Sequence, residues 1–150
     1  MDVQAPARPV DDGRCFACGP HSPTGLHMKF APAGEDAVES HLTLSAPYQG
    51  WKGIAHGGIV AMLLDEAMAY AAATRRLMGM TAEMKMRFRH PVPLGVPLAV
   101  RGRIVWQRRN VLGLEATVSD GGGGLLASAT GSFVSAGELA PGERLQGLEA

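Results

Sequence analysis

The residue types best suited to chemistry fall in one short stretch, His56-Gly57-Gly58 followed by Asp65 and Glu66. Between Ile59 and Ala73 the chain is apolar on every side except at the two acids. A helix at the surface of a domain carries an apolar stripe rather than an apolar cylinder. The stretch therefore reads as a helix wrapped by other structure, most simply a curled sheet. It is too short for a membrane span, and two acids interrupt it. Gly57 and Gly58 remove side chains from the first turn and bare amide N–H groups that a helix leaves unpaired. With the positive end of the helix dipole, those amides suit an oxyanion. Neighbouring helical residues point about 100° apart, so Asp65 and Glu66 cannot share one narrow solvent face. One carboxylate at least is expected in apolar surroundings, where it is costly without a partner or a task. Such a setting would raise the Asp65 pKa towards useful base strength. Glu66 reads as a rim or inter-subunit carboxylate that could touch substrate, and the pliable Met62, Met68, Met84 and Met86 as core or acyl-pocket residues.

A second cluster is Cys15-Phe16-Ala17-Cys18-Gly19-Pro20, followed by His21 and His27. On paper these make a Cys2His2 zinc set, but the spacing fits no standard finger. A disulfide is disfavoured in a reducing compartment. The plainer reading is a packed N-terminal turn covering part of the domain. No metal and no cofactor is expected.

These residues need elements to position them. Leu26, Met28 and Phe30 alternate with polar residues, and Val38, Ser40, Leu42 and Leu44 share a second face, which predicts a two-stranded hairpin. After the helix, Arg75 to Gly79 reads as its C-terminal signal. Met84, Met86 and Phe88 then oppose Lys85, Arg87 and Arg89 in a third strand. Leu98, Val100, Gly102, Ile104 and Trp106 line one face of a fourth, and Val111–Ser119 and Leu125–Ser135 supply two more. Two strands, one long helix and four strands contain no βαβ alternation, so an α+β fold with one antiparallel sheet follows.

The chain has 150 residues, which favours a single domain, with an ordered core over about 15–135 and loose ends before and after it. Its 14 basic and 14 acidic residues cancel. Yet nine of the basic residues lie between Arg75 and Arg109 beside one acid, Glu83, about eight net positive charges that would attract phosphate-bearing ligands. The polar, proline-rich start has no apolar run of a signal peptide, so a cytoplasmic location is expected.

The chain resembles the hotdog-fold acyl-CoA thioesterases of the phenylacetate-pathway (PaaI-like) type. His56, Gly57, Gly58, six residues and then Asp65 match that family's pattern. Cys15 to Phe30 and Gly50-Trp51-Lys52-Gly53-Ile54 look like a bacterial branch with a Cys-Phe-x-Cys-Gly opening. The resemblance implies one long helix wrapped by a curved antiparallel sheet of about five to six strands. It implies that Asp65 acts as general base or nucleophile, that the Gly57 amide binds the thioester oxygen with His56 shaping the hole, and that Thr81 stands where the family has Ser or Thr. Many members carry Asn where this chain has Gly50, and Gln49 is the nearest substitute. Gly58, Glu66, Arg87, Arg89 and His90 are the candidate substrate contacts.

Along one helix, Gly57 and Asp65 lie about 12 Å apart at 1.5 Å per residue. One thioester carbon cannot meet both, since hydrogen bonding needs contacts near 3 Å. If both act on one carbonyl they come from different chains, which predicts a homodimer, or a tetramer built as a dimer of dimers. The leading function is hydrolysis of a small or medium acyl-CoA or aryl-CoA. A non-catalytic acyl-CoA sensor and an enoyl-CoA hydratase are the alternatives. No Gly-x-Ser-x-Gly elbow is present. Nucleic acid is not an expected partner, because no aromatic residues interleave the basic face, and neither is a membrane.

Overall fold

A computed structural model describes residues 7–149. Its strands are β1 (Ala31–Pro32), β2 (Ala37–Thr43), β3 (Leu77–Phe88), β4 (Pro97–Arg108), β5 (Val111–Asp120) and β6 (Leu125–Glu138), with one long helix, α1 (Gly57–Ala73), between β2 and β3. All six strands join one antiparallel sheet in the order β1-β2-β4-β5-β6-β3. The sheet curls round α1, the α+β hotdog arrangement. No helix among the described residues is long and apolar enough to cross a membrane.

The strands follow their side-chain alternation. Leu98, Val100, Gly102 and Ile104 of β4 are buried while Arg101 and Arg103 face out. The β4–β5 turn places Arg109 in the left-handed region. The β5–β6 turn is held by Asp120 Oδ1, which accepts from the Gly122 and Gly124 amides at 3.0 and 2.8 Å. Against this sheet α1 buries Val60, Leu63, Leu64, Ala67, Met68 and Tyr70 to Ala73. Small residues let it come close: a Cβ at Gly102 would lie 2.2 Å from the Ala67 carbonyl oxygen.

Four local expectations are corrected. Leu26–Phe30 is not a strand of the sheet, and His27 within it takes the left-handed conformation. The Leu26 and Met28 amides bond the Phe16 and Ala17 carbonyls, and Phe30 bonds Gly147, so the N-terminal turn and the tail replace β2 as partners. Only Ala31 and Pro32 pair with β2. Trp106 leaves the buried face because the register shifts between Ile104 and Trp106; it is half-exposed, and its ring lies over Gly113. Gly79 does not end the helix. Arg76 takes the left-handed conformation, and Gly79 sits inside β3 at a register shift, where a Cβ would lie 2.0 Å from the Val134 carbonyl oxygen.

The tail is the fourth. Rather than lying loose, residues 139–149 return across the helix. Phe30 stacks on Tyr70 with ring centroids 4.4 Å apart, and the Gly147 amide donates to the Tyr70 hydroxyl at 2.9 Å. The Arg76 guanidinium donates to the Leu139, Ala140 and Glu143 carbonyls. Tyr70→Phe keeps the stacked ring but strands the buried Gly147 amide, a loss of about 1–3 kcal/mol. The expected result is a lower melting temperature with faster hydrogen exchange at Gly147; unchanged exchange there would show that the tail is held by other contacts.

Candidate functional site

Residue 56 fixes how α1 begins. His56 has extended backbone (φ −58°, ψ 136°), and its Nδ1 accepts from the Gly58 amide at 2.9 Å, in the manner of an N-cap. The His56 carbonyl accepts from Ile59 and Val60 at 2.9 and 3.1 Å. One N–H of the first turn remains: that of Gly57 has no acceptor among the described residues. Gly58, expected to offer a second free amide, has its N–H taken by the cap. An accepting Nδ1 leaves the proton of neutral His56 on Nε2.

The open side of Gly57 faces Phe88, whose Cζ lies 3.7 Å from where a Cβ would be. Successive residues on a strand point to opposite sides. Arg87 and Arg89 therefore face away from Gly57. With Lys85, Thr117, Ser128 and Thr130 they line a groove of about 380 Å³ on the outer surface of the sheet. Among the described residues Lys85, Arg87 and Arg89 form no ion pair, whereas Arg75, Arg101 and Arg103 pair with Asp36, Glu39 and Glu115. His90 is exposed just beyond β3.

Two turns into the helix, Asp65 faces β3. Thr81 donates its hydroxyl to Asp65 Oδ1 at 2.5 Å; Oδ2 makes no hydrogen bond among the described residues. Glu66 points elsewhere. Expected at a rim, its carboxylate lies instead beneath the N-terminal turn, 3.6 Å from the Cys15 thiol. Burial, with a smaller contribution from Asp65, pushes its pKa up, against the thiol hydrogen bonds. Burial also raises the Cys18 thiol and the Tyr70 hydroxyl well above their usual ranges. The carboxylate in apolar surroundings is thus Glu66, and the one held by a hydroxyl is Asp65.

The loop before the helix is tightly folded. Gln49 Oε1 accepts from the Gly53 amide at 2.9 Å, which ties that side chain to its own loop. A Cβ at Gly50 would lie 3.0 Å from His56 Cα. The loop passes so close to the cap that an asparagine at position 50 would require one of them to move.

The structure therefore groups Asp65 with Thr81, and Gly57 with His56 and Phe88. It places Glu66 with the cysteines, keeps Gln49 in its loop, and sets Arg87 and Arg89 on the far side of β3. Phe88 beside Gly57 escaped sequence reasoning, although its alternation with the arginines carried the signal. The joining of Glu66 to Cys15 and Cys18 carried none, because residues 51 apart in the chain have no spacing rule.

A family model described as the thioesterase superfamily matches residues 52–127. SSO1253 of Saccharolobus solfataricus, whose name assigns it provisionally to the esterases, is 34% identical over 84 residues, 55% of each chain. Protein RHA08564, a thioesterase superfamily protein, superposes with a TM-score of 0.77 at 29% identity, covering 81% of this chain and 63% of that one. The chain thus spans about half to two thirds of these two relatives. Smu.793 of Streptococcus mutans bound to acetyl CoA (TM-score 0.69, 20% identity, 74% and 90% covered) and the E. coli PaaI protein of the phenylacetic acid degradation operon (0.70, 19%, 75% and 82%) share the fold.

His56→Ala removes the acceptor that the Gly58 amide has among the described residues, at a cost of about 0.5–2 kcal/mol. His56→Asn keeps a capping oxygen and should retain most of that stability. Urea denaturation of the two variants separates the cap from any chemical role; equal losses would show that the ring, not its acceptor, stabilises the turn.

Proposed function

Because the chain belongs to the thioesterase superfamily, we propose that it hydrolyses a small or medium acyl-CoA or aryl-CoA thioester to the free acid and CoA. The observation that carries this reading is the division of labour along α1: among the described residues, a Gly57 N–H without a partner at its start and an Asp65 carboxylate held by Thr81 on one oxygen. The acetyl CoA bound to Smu.793 supports the ligand class.

In the proposed reaction the free Asp65 oxygen takes a proton from water as the water oxygen attacks the thioester carbon. The Gly57 N–H receives the developing oxyanion, and the His56 ring, which caps the same turn through Nδ1, shapes the hole. Collapse of the tetrahedral intermediate breaks the carbon–sulfur bond, and the CoA thiolate leaves and is protonated. Asp65 and Gly57 are eight residues apart on one straight helix, about 12 Å, so the oxyanion donor for one Asp65 comes from a second copy of this chain. β3 is the long edge strand of the sheet, opposite the two-residue β1, with half-exposed Met80 and Phe88, and pairing of two such edges would cover them. Phosphates of CoA lie in the groove of Lys85, Arg87 and Arg89, and the pantetheine arm passes round the β3 edge towards Gly57.

Asp65→Asn is nearly isosteric and should keep the fold and, by light scattering, the dimer. It cannot accept a proton near neutral pH, and kcat should fall about 10²–10⁴-fold, while Glu66→Gln costs far less. Near-full turnover by Asp65→Asn across a panel of acyl-CoAs would overturn the mechanism. Arg87→Ala with Arg89→Ala should raise KM more than it lowers kcat, since phosphate anchoring acts equally on ground and transition states. An unchanged KM at low salt would assign the groove to the solvent.

A further inference from the structure

We propose that Cys15, Cys18 and Glu66 form a zinc site that fastens the N-terminal turn to α1. The donor atoms of the three residues all lie within 4.8 Å of one another, with Cys15 Sγ 3.6 Å from Glu66 Oε1. Zinc bonds thiolate at about 2.3 Å and carboxylate at about 2.0–2.2 Å, so tetrahedral donors stand roughly 3.5–3.8 Å apart. Only a small contraction of this cluster is needed.

The turn that carries the two cysteines is built to hold them. The Gly19 amide donates to the Cys15 carbonyl at 2.8 Å, and a Cβ at Gly19 would lie 2.4 Å from the Cys15 nitrogen, so no larger residue fits there. Phe16 and Ala17, between the cysteines, are anchored through their carbonyls by the Leu26 and Met28 amides at 2.9 and 2.8 Å. Glu66 takes part in none of the ion pairs among the described residues. A carboxylate so placed calls for a cation, and a doubly charged ion between it and two thiolates supplies one. Zinc entry releases the thiol protons to solvent. Two sulfurs select a borderline-soft ion over magnesium or calcium.

The two histidines that the sequence sets beside the cysteines do not complete the site. His27 Nε2 is 2.5 Å from the Ser22 carbonyl oxygen, and the His21 ring packs on Gly13. Asp11 is also engaged, accepting from the Gly13 and Gln146 amides. The fourth position opens instead into a cavity of about 480 Å³ whose walls include Val10, Leu77 and Phe133. Three protein donors and one water therefore complete the tetrahedron.

The test is cobalt titration of reduced, chelator-stripped protein, full chain, in a phosphine reductant. Wild type should develop a thiolate-to-cobalt charge-transfer band that saturates at one ion per chain and is displaced by zinc, and zinc should raise its melting temperature. Cys15→Ser with Cys18→Ser should abolish the band. Glu66→Gln should keep it but weaken binding about tenfold or more, a scale that even residues outside the coordination shell reach. Asp65→Asn should bind cobalt as wild type does. Absence of the band in wild type overturns the proposal, as does its survival in the double cysteine variant or undiminished affinity in Glu66→Gln. Should the cysteine variant fail to fold, wild type and Glu66→Gln decide the matter alone.

Discussion

The close approach of α1 to β4 is the constraint on which the rest of the molecule depends. With 2.2 Å between the Ala67 oxygen and the place where a Gly102 side chain would begin, the helix lies almost on the sheet backbone. A flat sheet could touch a helix this close along one line only, so the strands on either side must curl to bury what remains. They do so asymmetrically. Leu98, Val100 and Ile104 of β4 and Leu112, Leu114 and Val118 of β5 close one side, Met84 and Met86 of β3 lean in from another, and Phe30 and the tail cap the third at Tyr70. The alanines at 67 and 71–73 give the helix little side-chain area of its own. Its stability comes from proximity, which is the regime where packing is least tolerant of an added methylene.

The same embrace sorts the two neighbouring acids. A rotation of about 100° sends Asp65 towards β3 and a threonine hydroxyl, and Glu66 under the N-terminal turn among thiols. A carboxylate with one hydrogen bond and a free oxygen can still accept a proton. A carboxylate beside two thiols has different partners. Which acid meets which partner thus depends on the rotation of one helix inside its sheet, against which Ala67 lies close to Gly102.

The order of strands, the helix and its burial were legible in the sequence because each rests on a local period, two for strands and 3.6 for helices. Asp65, Gly57 and Thr81 were singled out through their match to a family pattern, and the structure brings Thr81 to Asp65. What stayed hidden depends on long-range partners. Leu26–Phe30 alternates like a strand, yet its amides find the N-terminal turn and the tail instead of β2. Trp106 obeys the period until one register shift turns it outward. Gly79 has the composition of a helix stop, but the backbone at Val134 needs it within a strand. Glu66 read as a rim carboxylate because nothing local points to cysteines 48 and 51 residues earlier.

Charge follows the same rule. The excess of basic residues between Arg75 and Arg109 reads as a belt, but Asp36, Glu39 and Glu115 reach Arg75, Arg101 and Arg103 from other strands. Of the cations without an ion pair among the described residues, Lys85, Arg87 and Arg89 share one groove along the outer face of the one long edge strand. Charged residues on an edge commonly keep it from pairing with other chains. Here the inward-facing row of β3 answers in the opposite sense, since Met84 and Met86 are only partly buried and Phe88 at its end remains half-exposed. The dimer proposed above would pair two such edges once, because a two-fold interface closes on itself. Such a pairing would set the apolar rows against each other beside Thr81 and Asp65, bring a second Gly57 within reach of the first chain's carboxylate, and leave the cations facing outward where a phosphate can meet them.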